Sequence, residues 1–123
     1  DYARVHALGL LKAVEPPTGI VAASDTQAMG VIDAARELGV EVPDELSIIG
    51  FDDIATSAFV GLTTVSQPLE ASGCMAAEIL IAAIEAPGAS EGHERLPVDL
   101  VIRETTGVPH RRQEKARGRE VRR

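Results

Sequence analysis

The sequence has few aromatic side chains and almost no cysteine. Among 123 residues three are aromatic, and tryptophan is absent. A hydrophobic core must therefore be built from aliphatic side chains and alanine. The single cysteine, Cys74, excludes an internal disulfide framework. Because it lies in a stretch of small and apolar residues, it is predicted to be a buried core thiol.

Long hydrophobic runs are also scarce. The longest apolar-rich stretch, residues 75–84, is interrupted by Glu78 and is too short to span a bilayer. The first residues show no basic segment followed by an apolar run, so no signal peptide is visible. The length suits one small domain. We therefore expect a cytoplasmic protein without membrane contact.

Basic side chains are scarce in most of the chain. Residues 1–110 carry 5 basic and 17 acidic side chains, whereas residues 111–123 carry 7 basic and 2 acidic ones. An acidic body repels nucleic acid, and a short basic end attracts it without sequence specificity. Residues 109–123 are predicted to form a disordered basic tail.

Hydrophobic periodicity predicts an α/β chain with a parallel sheet. The predicted helices cover residues 2–14, 25–38 and 68–85. The predicted strands cover residues 19–23, 46–49, 62–65 and, as one or two strands at the sheet edge, 96–103. The connecting loops are placed over residues 50–61 and 86–92.

The first strand and the helix after it carry the clearest local signals. The unbroken apolar run of residues 19–23 is typical of a strand buried on both faces of a parallel sheet. Ser24 and Gln27 have the spacing of a capping box, and Gly39 is placed to end the helix. Together with the next strand, these elements predict a βαβ unit.

The helix over residues 68–85 has an unusual distribution of charge. Glu70, Glu78 and Glu85 fall within a narrow arc, and the rest of the circumference is apolar or small. Such a helix is expected to be buried on more than one side.

Polar side chains follow each of the three predicted parallel strands. The carboxyl ends of parallel strands meet at one edge of the sheet, where ligands of open α/β sheets bind. A few oriented polar groups there would bind a polyhydroxylated or amine-bearing small molecule. The candidates are Ser24 and Asp25, Asp52 and Asp53, and Gln67, with Phe51 as an apolar wall.

Each candidate also has a purely structural interpretation. Ser24 fits a helix cap, a role compatible with ligand contact. Asp25 lies in a first helical turn, where an acid complements the helix dipole, and this favours a structural role over ligand contact. Asp52 or Asp53 could hold the loop, and Gln67 alone would be a surface amide.

Other chemistries lack the residues they need. The three histidines lie in separate segments without ligand spacing, so no metal site is predicted. No glycine-rich phosphate loop follows a strand, and no nucleophile–base pair is placed for catalysis. We expect neither a cofactor nor enzymatic activity.

Three motifs resemble the C-terminal part of LacI/GalR-type transcriptional regulators. They are PTGIVAASDTQAMGVIDAARELGVEVPDELSIIGFDD (17–53), LTTVSQP (62–68) and LPVDLVIRETT (96–106). Their order and spacing carry the resemblance. It implies a type I periplasmic-binding-protein-like fold, in which two α/β subdomains enclose an effector, the small molecule that the regulator senses. A separate N-terminal helix-turn-helix head reads operator DNA in such regulators.

The resemblance also implies roles for individual residues. Ser24 matches a position, often Asn, whose side chain contacts the effector; its shorter side chain makes a bridging water plausible. Asp52 matches an acid that accepts hydrogen bonds from effector hydroxyls or ring nitrogens. Gln67 and Leu69 match the cleft wall. Met29 and Phe59 match the dimer face, with core packing and an isolated exposed aromatic as their respective alternatives.

By the same resemblance the fold is incomplete. Residues 1–61 and 94–108 would form the C-terminal subdomain, and residues 62–93 would belong to an N-terminal subdomain that this chain almost wholly lacks. The helix over 68–85 would then have lost its usual cover. The function implied is the sensing of a small molecule, a sugar or related polar metabolite, by a homodimeric repressor that contacts operator DNA through an absent head.

Two other interpretations stay open at this point. A periplasmic-type sugar-binding protein for transport or chemotaxis would share the fold, and a truncated product would have no function. The VPDELSIIGFDD and VIRETT segments favour the regulator.

Overall fold

The structure, a computed structural model, describes residues 2–86 and 93–108. Its helices are α1 (Tyr2–Leu11), α2 (Asp25–Leu38), α3 (Ala55–Phe59) and α4 (Leu69–Glu85). Its strands are β1 (Gly19–Val21), β2 (Ser47–Asp52), β3 (Thr63–Ser66) and β4 (Asp99–Val101). The predicted tail over 109–123, and all but the first residue of the predicted loop over 86–92, lie outside the described residues.

The strands form one sheet in the order β1-β2-β3-β4. The first three strands are parallel, and β4 runs antiparallel to β3. This arrangement confirms the predicted α/β fold with a parallel sheet and a last strand at its edge. The pairing of Asp52 with Ser66 brings the carboxyl ends of β2 and β3 to the same level.

Helix α2 begins and ends where the sequence predicts. Ser24 has extended backbone angles, and its Oγ accepts a hydrogen bond from the Gln27 N–H at 3.3 Å. At the other end Gly39 has a φ of 67°, a left-handed conformation that glycine adopts without steric cost. These caps fix the position of the polar residues at the start of α2.

The core is aliphatic and rich in alanine, as expected from the shortage of aromatic residues. Helix α2 packs on β2, and α1 packs on α2. Helix α1 ends at Leu11 instead of residue 14, and its Val5 is 59% exposed. The buried apolar side chains are Ala7, Leu11, Ala22, Ala28, Val31, Ala34, Ala35, Leu46, Ile48 and Leu62.

Two predictions about the sheet and its connections were wrong. Strand β1 is not buried on both faces: Gly19 and Val21 are exposed, Val21 to 77%, so within the described part of the chain one face of this strand is uncovered. The predicted loop over 50–61 is largely structured, since β2 extends to Asp52 and α3 follows directly. A buried carboxylate, Asp25, accepts hydrogen bonds from the Ile54 N–H, just before α3, and from Ser57, within α3.

Helix α4 has no buried residue, and Leu80 and Ile84 are 62% and 69% exposed. The predicted burial on more than one side is therefore not found within the described part of the chain. Cys74 is exposed, so its prediction as a core thiol was wrong for the same reason. Among the described residues, no helix combines the length and apolar character needed to cross a membrane.

Gly50 lies where β2 passes closest to α2. A β-carbon at this position would overlap Asp25 Oδ1 and approach Leu62 Cδ2 to 3.0 Å. The backbone of β2 can therefore contact the start of α2 only if residue 50 has no side chain.

We expect Gly50→Ala to destabilise the chain by about 1–3 kcal/mol, because the added methyl group has no space. Urea denaturation followed by circular dichroism measures the loss. Gly19→Ala in the neighbouring strand is the matched control, because its β-carbon would meet only Ser47 O, at 3.9 Å. Equal stability of the two variants would refute the close contact with Asp25.

Candidate functional site

Asp52 and Gln67 meet at the carboxyl edge of the sheet. Asp52 ends β2, and Gln67 follows β3, its parallel neighbour. Gln67 Nε2 donates a hydrogen bond to Asp52 Oδ1 at 2.7 Å. No donor within residues 2–86 and 93–108 contacts Asp52 Oδ2. The pair therefore presents a carboxylate oxygen and an amide oxygen to an incoming group.

The backbone at the end of β2 is in an uncommon conformation. Asp52 and Asp53 have φ values of 110° and 52°, and both are non-glycine residues in the left-handed half of conformational space. Such a conformation costs about 1–3 kcal/mol per residue and is concentrated at functional sites. Here it requires surrounding contacts that hold it in place.

Asp53 is engaged by an arginine from the far end of the chain. Arg103 Nη2 lies 2.7 Å from Asp53 Oδ1, and the two side chains are 20% and 24% exposed. Arg103 Nη1 also donates to the Leu62 carbonyl oxygen at 2.8 Å. Because Asp53 is paired internally, Asp52 is the acid of this pair that is available to a ligand.

Asp25 is the most buried acid of the site, with a relative exposure of 1%. Its Oδ2 accepts hydrogen bonds from the Ile54 N–H at 2.9 Å and from Ser57 Oγ, and its Oδ1 accepts one from Thr64 Oγ1. These donors lie on α3, the residue preceding it, and β3. A single carboxylate thus joins α2 to the loop after β2 and to the neighbouring strand.

Two opposing effects determine the pKa of Asp25. Burial alone would raise it, because desolvation disfavours the charged form. Hydrogen bonds from Ser57, Thr64 and the backbone N–H groups of Ile54 and Phe51 lower it, and together they prevail. The pKa of Asp25 is therefore below its ordinary value, and the side chain is a carboxylate at neutral pH.

The structure places the two residues at the start of α2 differently. The oxygens of Asp25 are occupied by internal donors, so we do not propose that it contacts a ligand. Ser24 is half-buried, and its Oγ accepts the capping hydrogen bond. Its hydroxyl proton can still be donated to a ligand or to a bridging water.

Leu69 and Phe51 are the apolar candidates. Leu69 is 64% exposed and, with Gln67, Met75 and Leu96, lines a hollow of about 320 Å³. Ser24 and Asp52 do not line this hollow. Phe51 is half-buried, and the alternation of side chains along β2 separates it from the Gly50 face.

The two residues expected at a dimer face lie on different helices. Met29 is half-buried in α2, and Phe59 is 88% exposed at the end of α3. Among the described residues, no group of three or more histidine, cysteine or acidic side chains is placed to hold a metal ion.

Three threonines that support the site are not among the candidates predicted from the sequence. Thr64 reaches Asp25, whereas Thr63 Oγ1 accepts the Arg103 N–H at 2.9 Å. Thr105 Oγ1 accepts the Thr63 N–H and donates to the Ile48 carbonyl oxygen. All three threonines are buried. Threonine in a buried strand was the available signal, because its hydroxyl needs a partner there.

We expect Asp25→Asn to destabilise the chain by about 2 kcal/mol at pH 7, because the amide loses the charge and one acceptor oxygen. A depressed pKa stabilises the folded state above the unfolded-state pKa, and that contribution is lost as the pH falls through the folded-state pKa. The difference in the free energy of unfolding between wild type and variant should therefore narrow as the pH falls below about 3.9, the ordinary pKa of aspartate. Urea denaturation at a series of pH values measures it.

Asp33→Asn is the control, since this partly exposed acid of the same helix forms a surface ion pair with Arg4. A difference between wild type and Asp25→Asn that stays constant with pH would contradict the assignment of a depressed pKa to Asp25.

Comparison with known proteins adds independent information. A family model for the periplasmic binding protein-like domain matches residues 1–106. The ribose operon repressor of Halalkalibacterium halodurans is 37% identical over 108 residues, which cover 86% of this chain and 33% of the repressor. The chain thus spans about a third of the length of the curated relatives it matches.

Solved structures give the same result. A LacI family transcriptional regulator from Enterococcus faecium with bound ribose has a TM-score of 0.71 and 31% identity, covering 85% of this chain and 39% of that one. One from Lactobacillus casei with bound sucrose has a TM-score of 0.69 and 28% identity at the same coverage. The chain therefore belongs to the periplasmic binding protein-like domain family and corresponds to the C-terminal effector-binding region of LacI/GalR-type regulators.

Proposed function

We propose that this chain supplies one wall of the effector site in a cytoplasmic transcriptional repressor that senses a sugar or a related polar metabolite. The observation that carries the proposal is the hydrogen-bonded pair of Asp52 and Gln67 at the carboxyl ends of adjacent parallel strands. That edge is where ligands of open α/β sheets bind.

The available groups suit a ligand with several hydroxyls. Asp52 Oδ2 and Gln67 Oε1 accept hydrogen bonds, and Ser24 Oγ donates one. A carboxylate that accepts from a ligand hydroxyl makes a charge-assisted hydrogen bond, which is stronger than a neutral one. Leu69 adds an exposed apolar surface beside Gln67.

The named relatives favour the same class of ligand. Two solved regulators that resemble this chain contain ribose and sucrose, and one curated relative is a ribose operon repressor. These names support a sugar effector and a role in transcription over transport, chemotaxis or catalysis. They do not choose one sugar, since ribose and sucrose differ in size and in their hydroxyl groups.

In the intact regulator, the effector would act by linkage. An effector that binds one cleft geometry more tightly shifts the protein between two states of different operator affinity, by no more than its differential affinity. We propose that the regulator is a homodimer whose contact surface includes Met29 and Phe59. Operator DNA would be contacted only by a head outside these residues.

One wall of a cleft binds weakly, because a ligand gains only part of its contacts there. We therefore expect the isolated chain to bind D-ribose or sucrose with a dissociation constant of about 1 mM or weaker. Two-dimensional NMR of the ¹⁵N-labelled chain measures it. The amide signals that shift should cluster at Ser24, Asp52 and Gln67.

Asp52→Asn should abolish these shifts, because it replaces the free carboxylate oxygen with an uncharged group. Asp44→Asn, at an exposed acid in the turn before β2, should leave them unchanged. Saturable shifts confined to another surface would refute the proposed site. A micromolar complex of the isolated chain, measured by calorimetry, would refute the one-wall account.

A further inference from the structure

Three consecutive residues after β2 are each held by a side chain from a different part of the chain. Asp52 accepts a hydrogen bond from Gln67, which follows β3. Asp53 is paired with Arg103, which follows β4. The Ile54 N–H donates to Asp25, which begins α2.

Asp53 follows the last residue of β2 and precedes α3, so it belongs to neither element. Asp53 has a φ of 52°, and its carboxylate is paired with Arg103. Its peptide bond joins it to Asp52, so the conformation of Asp53 affects the direction in which Asp52 leaves the sheet. Arg103 does not touch the free oxygen of Asp52 and can act on it only through this backbone.

The chemistry of arginine suits this task. The guanidinium donates through Nη1 to the Leu62 carbonyl oxygen, immediately before β3, and through Nη2 to Asp53, immediately after β2. The Arg103 backbone N–H is itself anchored on Thr63 Oγ1 at 2.9 Å. A planar group with several fixed donors can bridge two such acceptors, whereas the single ammonium of lysine has no such fork.

We propose that Arg103 is a positioning residue for the ligand acceptor Asp52, acting through its ion pair with Asp53. This inference rests on the proposed function, because Asp52 is a ligand acceptor only if the site binds a ligand. The positioning itself can be observed without a ligand, in the Asp52–Gln67 hydrogen bond.

Glycine at position 53 provides a specific test. Glycine adopts positive φ values without steric penalty, so in Asp53→Gly the conformation of residue 53 no longer needs the contact with Arg103. If Arg103 acts by holding Asp53, then Arg103→Met should disturb Asp52, and Asp53→Gly added to it should restore the site. A general loss of packing around Arg103 would not be restored in this way.

The experiment is NMR of the 123-residue chain, with two readouts in each variant. The first is the side-chain amide signal of Gln67, together with the couplings that report φ at Asp52. The second is the shift of the Asp52 amide on titration with D-ribose. Arg36→Met, which removes an exposed arginine at the end of α2, is the matched control.

We expect Arg103→Met to move the Gln67 signals toward those of a solvated amide and to weaken the ribose response about tenfold, a modest loss for a misplaced contact. Arg103→Lys should retain only part of the wild-type response to D-ribose. The double variant Arg103→Met with Asp53→Gly should recover most of that response. Arg36→Met should behave as wild type.

Unchanged Gln67 signals in Arg103→Met would overturn the proposal. So would failure of Asp53→Gly to restore them. A wild-type chain that gives no response to ribose or sucrose would count against the proposed function, while the Gln67 signals would still decide whether Arg103 positions Asp52.

Discussion

The site depends on one buried carboxylate. Asp25 is 1% exposed, yet it bonds to the backbone before α3, to a hydroxyl of α3 and to a hydroxyl of β3. Removing an unpaired carboxylate from water would be very costly, so this side chain requires its donors. The donors at Ile54 and Ser57 in turn fix the path of the segment that follows Asp52. Gly50 is part of the same arrangement, because only glycine leaves space for Asp25 against β2.

Much of the fold could be predicted from local patterns. The caps of α2 at Ser24 and Gly39, the parallel strands and the edge position of β4 follow from short-range signals of periodicity and turn chemistry. Predictions from local sequence patterns failed where a residue distant in the chain determines the local structure. The side chain of Ile54 does not cap helix α3. The Ile54 N–H instead donates a hydrogen bond to Asp25, which lies 29 residues earlier. No pattern within residues 50–61 shows that contact.

The candidate site was predictable in part for the same reason. Strand order and polarity predicted Asp52 and Gln67 as neighbouring candidates, and the structure places them in a hydrogen bond. The sequence alone could not show which of Asp52 and Asp53 keeps a free carboxylate oxygen, because the residue that pairs with Asp53 is Arg103, 50 residues away. Predicted burial failed for Cys74 and Val21. Both lie on elements whose apolar surface has no cover among the described residues.

Hydrogen bonds, and not burial alone, determine the charge of Asp25, and the same bonds hold the start of α3 and β3 against α2. The most direct test is the pH titration of the Asp25 side-chain carboxyl carbon by ¹³C NMR. The account predicts a midpoint clearly below about 3.9, the ordinary value for aspartate. A midpoint at or above that value would mean that desolvation prevails over the donors, and it would contradict the view that the donors of Asp25 stabilise its charge.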